Sequence, residues 1–274
     1  MNPELNPTPP QSSPMPLPQQ PPPMANMQPP VKSKAPVIIA AVIVMLLAMG
    51  GGCWAWASAA KAQYVKAVPA YETRARAAYD YFGGLKDRLT HGADIKRKFD
   101  ETIASSPKEP KLLGMTLAPA DKIKRVNDLT KALREFDTTY VTAASISDYS
   151  AKALDIMAGA TGTISTPTDM KNMEAKFKTA KTALSKLVPP SELKDFHSKT
   201  LAGYDAATGD IDRALDALGK SQASTYTEAV QKLATDVKAI GASAASRELA
   251  GIFTTAYGKA DTAYGNLQKA LGVN

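Results

Sequence analysis

The sequence predicts an all-α protein: a single transmembrane helix followed by an elongated antiparallel helical bundle, with a disordered Pro-rich N-terminal tail ahead of both. Three observations carry this expectation. Prolines crowd the N-terminus, 13 of the 20 falling within the first 36 residues. Residues 35–60 hold no charged side chain. Beyond residue 61, apolar side chains recur every three or four positions, and no segment sustains the period-two alternation of a half-buried strand.

The tail, residues 1–35, carries only Glu4, Lys32 and Lys34 as charges and strings such as PTPPQSSPMPLPQQPPPM. Its hydrophobicity is too low to offset the entropy of ordering, so disorder with polyproline II character is expected. Pro7–Pro10 and Pro18–Pro21 satisfy P-x-x-P, a pattern that can recruit a protein partner. A plain spacer is the alternative role.

The run 36–58 has 23 residues. As a helix it measures about 34 Å, against about 30 Å for a bilayer's hydrocarbon core. Trp54 and Trp56 stand near its end, where an interfacial aromatic belt would place them. Three readings compete. A lipoprotein signal asks for Leu or a similar residue three places before the cysteine, but Gly50 precedes Cys53 at that distance. A secretory signal would take Lys32 and Lys34 as n-region, 37–49 as h-region and Ala55-Trp56-Ala57 as cleavage site. The 31 residues ahead of the lysines argue against it. A retained anchor is the third reading and the one adopted, with Cys53 a small buried residue without chemistry. Lys61, Lys66, Arg74 and Arg76 follow the run, so a count of basic residues would place the C-terminal part inside. That rule is weak for large translocated domains, and lysines ahead of an apolar run favour a signal-anchor. The expectation is a cell-membrane protein, single-pass, N-terminus cytoplasmic and C-terminal domain extracytoplasmic.

Residues 61–274 form the third part, with 31 Lys and Arg against 25 Asp and Glu. They contain no cysteine, which excludes a disulfide framework and a thiolate metal site. Prolines at 69, 107, 110, 119, 167, 189 and 190 punctuate the segment, since proline breaks helix interiors but suits first turns. Val68, Tyr71, Ala75, Ala78, Phe82, Leu85 and Leu89 form one seam. Ile123, Val126, Leu129, Leu133, Phe136 and Tyr140 form a second, resumed at Leu154 and Met157. Met170, Met173, Phe177, Ala180, Leu184 and Leu187 make a third. Leu193, Phe196, Leu201, Tyr204, Ile211, Leu215 and Leu218 follow more loosely. Last come Tyr226, Val230, Leu233, Val237, Ile240 and Ala244, then Leu249, Ile252, Ala256, Ala260, Ala263 and Leu267. Thr166 before Pro167, with Asp169 in the first turn, reads as an N-cap, and Thr225 to Glu228 fits a capping box. AGATGTIS at 158–165 reads as a loop. The Ala-Tyr-Gly repeated at 256–258 and 263–265 reads as a packing register, and the Ala-rich seams imply close helix approach.

Chemistry is harder to find. His91 and His197 are the two histidines, His91 at an expected helix end and His197 beside Phe196. Neither has partners for a metal site or a nucleophile-base pair. Asp205, Asp210, Asp212 and Asp216 are spaced like a solvated helix face, unlike a calcium loop. No phosphate-binding loop or nucleophile elbow occurs. No catalytic residue, cofactor or metal site is therefore expected, and a secreted hydrolase would need coupled carboxylates in a cleft. Lys171, Lys176, Lys178, Lys181 and Lys186 crowd one helix around Glu174, and KRK stands at 96–98. Such faces could touch anionic lipid or acidic cell-wall polymers; a solvated helix face is the alternative. The aromatic interleaving of a nucleic-acid surface is lacking, so no nucleic-acid partner is expected.

LVPPSELKDFH at 187–197, between two amphipathic helices, resembles uncharacterised bacterial membrane-anchored or lipoprotein-type helical ectodomains, which carry a Leu-x-Pro-Pro-x-Glu-Leu…His corner. DTAYGNLQKALGV near the C-terminus is similar to their ending. The resemblance covers roughly 170–272 and implies that Pro189 and Pro190 turn the chain, with Glu192 in the next helix's first turn. It implies no activity. The expectation is a non-enzymatic cell-surface binding, spacing or scaffold protein. A ligand-perceiving sensory ectodomain and a subunit of an envelope assembly are the alternatives.

Overall fold

Seams at helical spacing need partners, and the computed structural model supplies them across residues 35–273, with side chains from Gly52 onward except 242 and 243. Seven α-helices are described: α1 (Ala35–Gly84), α2 (Gly92–Ala104), α3 (Ala120–Gly159), α4 (Pro167–Ser185), α5 (Lys194–Gly219), α6 (Ala223–Ile240) and α7 (Ala242–Leu271). Two-residue strands β1 (Lys111–Leu112) and β2 (Met115–Thr116) pair as one hairpin. The chain divides into compact units at 1–52 and 53–274. The all-α expectation is met. The Pro-rich tail lies, except for Ala35, outside the described residues, as do the side chains of the apolar run up to Gly51. Among the described residues, no helix is long and apolar enough to cross a membrane.

Within 53–274, α3 is the spine. Its 40 residues rise about 60 Å at 1.5 Å each. Val126, Leu129, Leu133, Phe136, Tyr140, Ala143, Ile146, Tyr149, Ala153 and Met157 keep a buried stripe along nearly all of it. The first half of α3 packs with α1, α2 and α7. The Tyr71 hydroxyl lies 2.7 Å from Thr130 Oγ1, and Phe82 stacks edge-on to Phe136 and Tyr140. Numbers rise together in these pairs, so α1 and α3 are parallel. Phe99 meets Phe136 and Ser106 meets Thr130, so α2 is antiparallel to α3. Arg125 reaches the Ala270 carbonyl while Phe136 meets Tyr264, so α7 is antiparallel too. The second half of α3 packs with the first half of α7 and with α4, and Tyr149 reaches His197 of α5; α5 and α6 pair antiparallel through Asp210–Lys232 and Arg213–Glu228.

Gly241, with φ −62° and ψ 150°, separates α6 from α7. Beyond it the chain leaves α5 and packs on α3. The end of α7 is tied down firmly. Gly272 adopts φ 65°, Val273 N–H donates to the Gln268 carbonyl, and Arg76 and Arg125 donate to the carbonyls of Leu271 and Ala270. Cations at exposed helix carbonyls oppose the negative end of the macrodipole.

Four expectations need correction. Pro69 lies inside α1, where the chain continues helically and Thr73 Oγ1 donates to the Pro69 carbonyl. The Thr225–Glu228 capping box does not form. Ser221, at φ 56°, and the Gln222 N–H bond to the Ala217 carbonyl close α5 so tightly that α6 starts at Ala223. Leu218 is exposed and leaves the expected α5 seam, Leu201 and Leu215 pack against the core from its edge, and Thr200, Ala207 and Ala214 are buried beside Tyr204 and Ile211, small residues letting neighbouring helices approach. Asp210 is 6% exposed and paired, so it does not belong to a solvated face. Thr166, by contrast, caps α4 as expected, with a capping box to Asp169 that depresses the Asp169 carboxyl through the Thr166 and backbone N–H bonds.

Candidate functional site

The bend at Gly241 opens a cleft of about 400 Å³ between α5, α6 and the start of α7. Its walls are apolar: Phe196, Gly203, Ala206 and Ile240, with Met157 from the end of α3. Lys199, Asp236 and Glu248 supply charge. The helices cross closely at its floor, where a Cβ added to Gly203 would stand 2.1 Å from Ile240 Cγ2. Asp236 is already engaged: Lys232 Nζ lies 2.9 Å from both Asp236 and the buried Asp210. The two carboxylates hold the Lys232 ammonium above its ordinary range. With Asp236 engaged by Lys232, Glu248 and Lys199 are left as one charge of each sign beside an apolar floor, an arrangement that suits a small amphiphile with a polar head. It offers no nucleophile-base pair.

The corner at 187–197 is built for packing. The Leu187 N–H donates to the Leu184 carbonyl, closing α4, and the Leu193 N–H donates to the Pro190 carbonyl. Residues Ser191–Leu193 form a 3-10 turn that buries Leu193 completely. Pro189 and Pro190 turn the chain there, and Glu192 sits in that turn. Phe196 is buried one turn on. His197 Nδ1 lies 2.7 Å from the Tyr149 hydroxyl of α3, fastening the corner to the spine. Burial lowers the His197 pKa and raises that of Tyr149 to about 12, so a neutral ring facing a protonated phenol is the favoured state.

The other singled-out residues scatter. His91 closes a 3-10 turn ahead of α2. Asp205 bonds Lys181 across α4 and α5, and Asp216 bonds Lys220 within one turn. The lysine face of α4 is partly spent on internal partners: Lys176 donates to the Thr161 carbonyl, Lys178 to Glu174 and Lys181 to Asp205. In the 96–98 cluster, Lys96 pairs with Asp100, Arg97 with Glu101, and Lys98 covers the Tyr81 ring at 5.0 Å. Among the described residues no group of three or more His, Cys, Asp or Glu could hold a metal ion. The cleft had no signature in the sequence, because a glycine-isoleucine contact between helices 37 residues apart leaves no periodic trace.

No family model matches this chain, and neither a curated protein nor a solved structure shows significant similarity to it.

Proposed function

We propose that the chain is a single-pass membrane-anchored protein whose helical bundle lies outside the cytoplasm and binds or spaces something at the cell surface without catalysis. The observation that carries this is the uncharged run 36–58, which precedes the first core residue, Tyr64, by only a few positions. A bundle starting there is held within a few turns of any bilayer the run occupies. The anchor itself rests on the sequence, and the orientation on Lys32 and Lys34 ahead of the run. The Pro-rich tail then faces the cytoplasm as a spacer or recruiting segment. Carbonate washing of membranes from cells tests the anchor: full-length protein should stay in the pellet. Soluble protein starting near Ser58 would replace it with a cleaved leader, and a lipid-modified mass starting at Cys53 with a lipoprotein.

A ligand-perceiving ectodomain is the second reading, favoured by the cleft at the α6–α7 bend. Ligand held there would touch α5, α6, the start of α7 and the end of α3 together. Crosslinking in intact cells followed by pull-down of the full chain separates the readings: a macromolecular partner supports spacing or assembly, a small adduct on the cleft residues supports perception.

A further inference from the structure

The connection between α2 and α3 carries a hairpin that the bundle does not need for its core. At its tip Leu113 is 91% exposed and Met115 64% exposed. Leu113 and Gly114 have φ 51° and 82°, the two positive values of a type I′ turn. Asn or Asp ordinarily fills the first of these positions, so a fully exposed leucine is unfavourable there twice over, in backbone and in hydration. The hairpin's place in the fold is definite. It follows the descending α2, and α3 starts from it. Tyr71 contacts Thr130 and Glu72 pairs with Arg125, so the start of α3 lies level with the 60s of α1. Glu109 lies near enough to Tyr64 to help raise its phenol pKa, after burial. The tip therefore occupies the same end of the bundle as Trp54 and Trp56, both largely exposed. Lys108 and Lys124 flank it in the sequence, as do Lys111, 3.7 Å from Glu109, and Lys122, 3.9 Å from Asp121.

We propose that this hairpin is a second membrane contact: Leu113 and Met115 enter the interfacial region of the bilayer that α1 crosses, and the flanking lysines meet anionic headgroups. This rests on the anchored reading above. A bilayer is the occupant that fits, because the patch is small and apolar, has lysines on both sides in the sequence, and lies toward the same end of the bundle as the aromatic pair that ends the apolar run.

The test uses the full chain in vesicles of phosphatidylethanolamine and phosphatidylglycerol, with a nitroxide at one cysteine at a time. Native Cys53 reports the anchor; Leu113→Cys and Met115→Cys, each with Cys53→Ala, report the hairpin. Val188→Cys, at a position 90% exposed but on the α4–α5 corner, is the aqueous control. At 113 and 115, oxygen collisions should exceed those of a water-soluble nickel complex, with the reverse at 188. If 53 is shielded from nickel while 113 and 115 behave like 188, the hairpin contact is overturned and the anchor stands. A nickel-accessible 53 overturns the anchor itself. Spin-spin broadening at 113 without oxygen enrichment would assign the tip to a second copy of the chain and also overturn the proposal. Met115→Cys lies on β2 and keeps the test decisive if substitution at 113 alters the turn.

Discussion

Phe177 packs against Tyr204 at 5.6 Å between ring centroids and is 1% exposed, while Lys178, its neighbour, reaches outward to Glu174. Phe177→Ala should cost about 3–5 kcal/mol by lost burial and cavity. Lys178→Ala should change stability by less than about 0.5 kcal/mol. Urea melts of a fragment from Lys61, read at 222 nm, give the contrast; equal small losses would show that the α4 seam does not pack as described. Leu113 makes the opposite case. A left-handed leucine costs about 1–2 kcal/mol, so Leu113→Asn should raise the thermal midpoint while weakening vesicle contact. His197 supplies a pH dependence. The unfolded ring titrates near 6.5, and burial holds the folded ring below that. Between the two values the unfolded chain binds more protons, so stability rises with pH and levels off above about 6.5. His197→Gln should flatten that slope, and an unchanged difference between pH 5 and pH 7.5 would contradict it. Phe177 was legible in the sequence because an aromatic at seam spacing has one reading. Leu113 was not: Leu-Gly is a weak turn signal, and nothing local announces a leucine at positive φ.

Among the helices, the crossing of α5 and α6 is the sharpest constraint. Gly203→Ala places a methyl against the branched Ile240 side chain, which cannot swing away without disturbing the cleft floor. Overpacking of this kind costs about 1–3 kcal/mol, and the roughly 1 kcal/mol that Ala gains over Gly in a helix offsets part of it. Gly203→Ala with Ile240→Ala should cost less than the sum of the single changes, because the second removes the obstacle. Additive losses would mean that the helices part freely at this point. The same crossing explains which seams were readable. Those of α3 and α4 use large side chains and stand out in the sequence. The α5 seam also uses Thr200, Ala207 and Ala214, which no stripe of large apolar residues marks, while Leu218, which such a stripe includes, is exposed. Helix α2, 13 residues with Ile95, Phe99 and Thr102 buried, fell between proline marks and escaped notice. The four-residue hairpin pairing was too short for any alternation to register.

Across the whole bundle, the shared spine has a mechanical meaning. Every part of the core buries side chains against α3 or α7, so residues 61–274 should melt in one cooperative transition with coincident signals at 222 nm and 280 nm. Two separated transitions would show that α3 breaks midway. The helical class, the α3 and α4 cores and the α4 cap could be read from residue spacing. The cleft, the bend at Gly241 and the buried Asp210–Lys232 pair could not, because each depends on which distant helices become neighbours. One feature at the end of α7 reaches further. Arg76 holds the Leu271 carbonyl at 3.2 Å, so α7 ends beside the helix that opens the bundle, 12 residues past Tyr64. That spacing is about 18 Å along α1. A linker of about seven residues could therefore join Val273 to the start of the core, and the chain could be reopened at the 220–222 turn without cutting a helix. Entry and exit at one place make the bundle a portable cassette, able to sit inside another protein's surface loop.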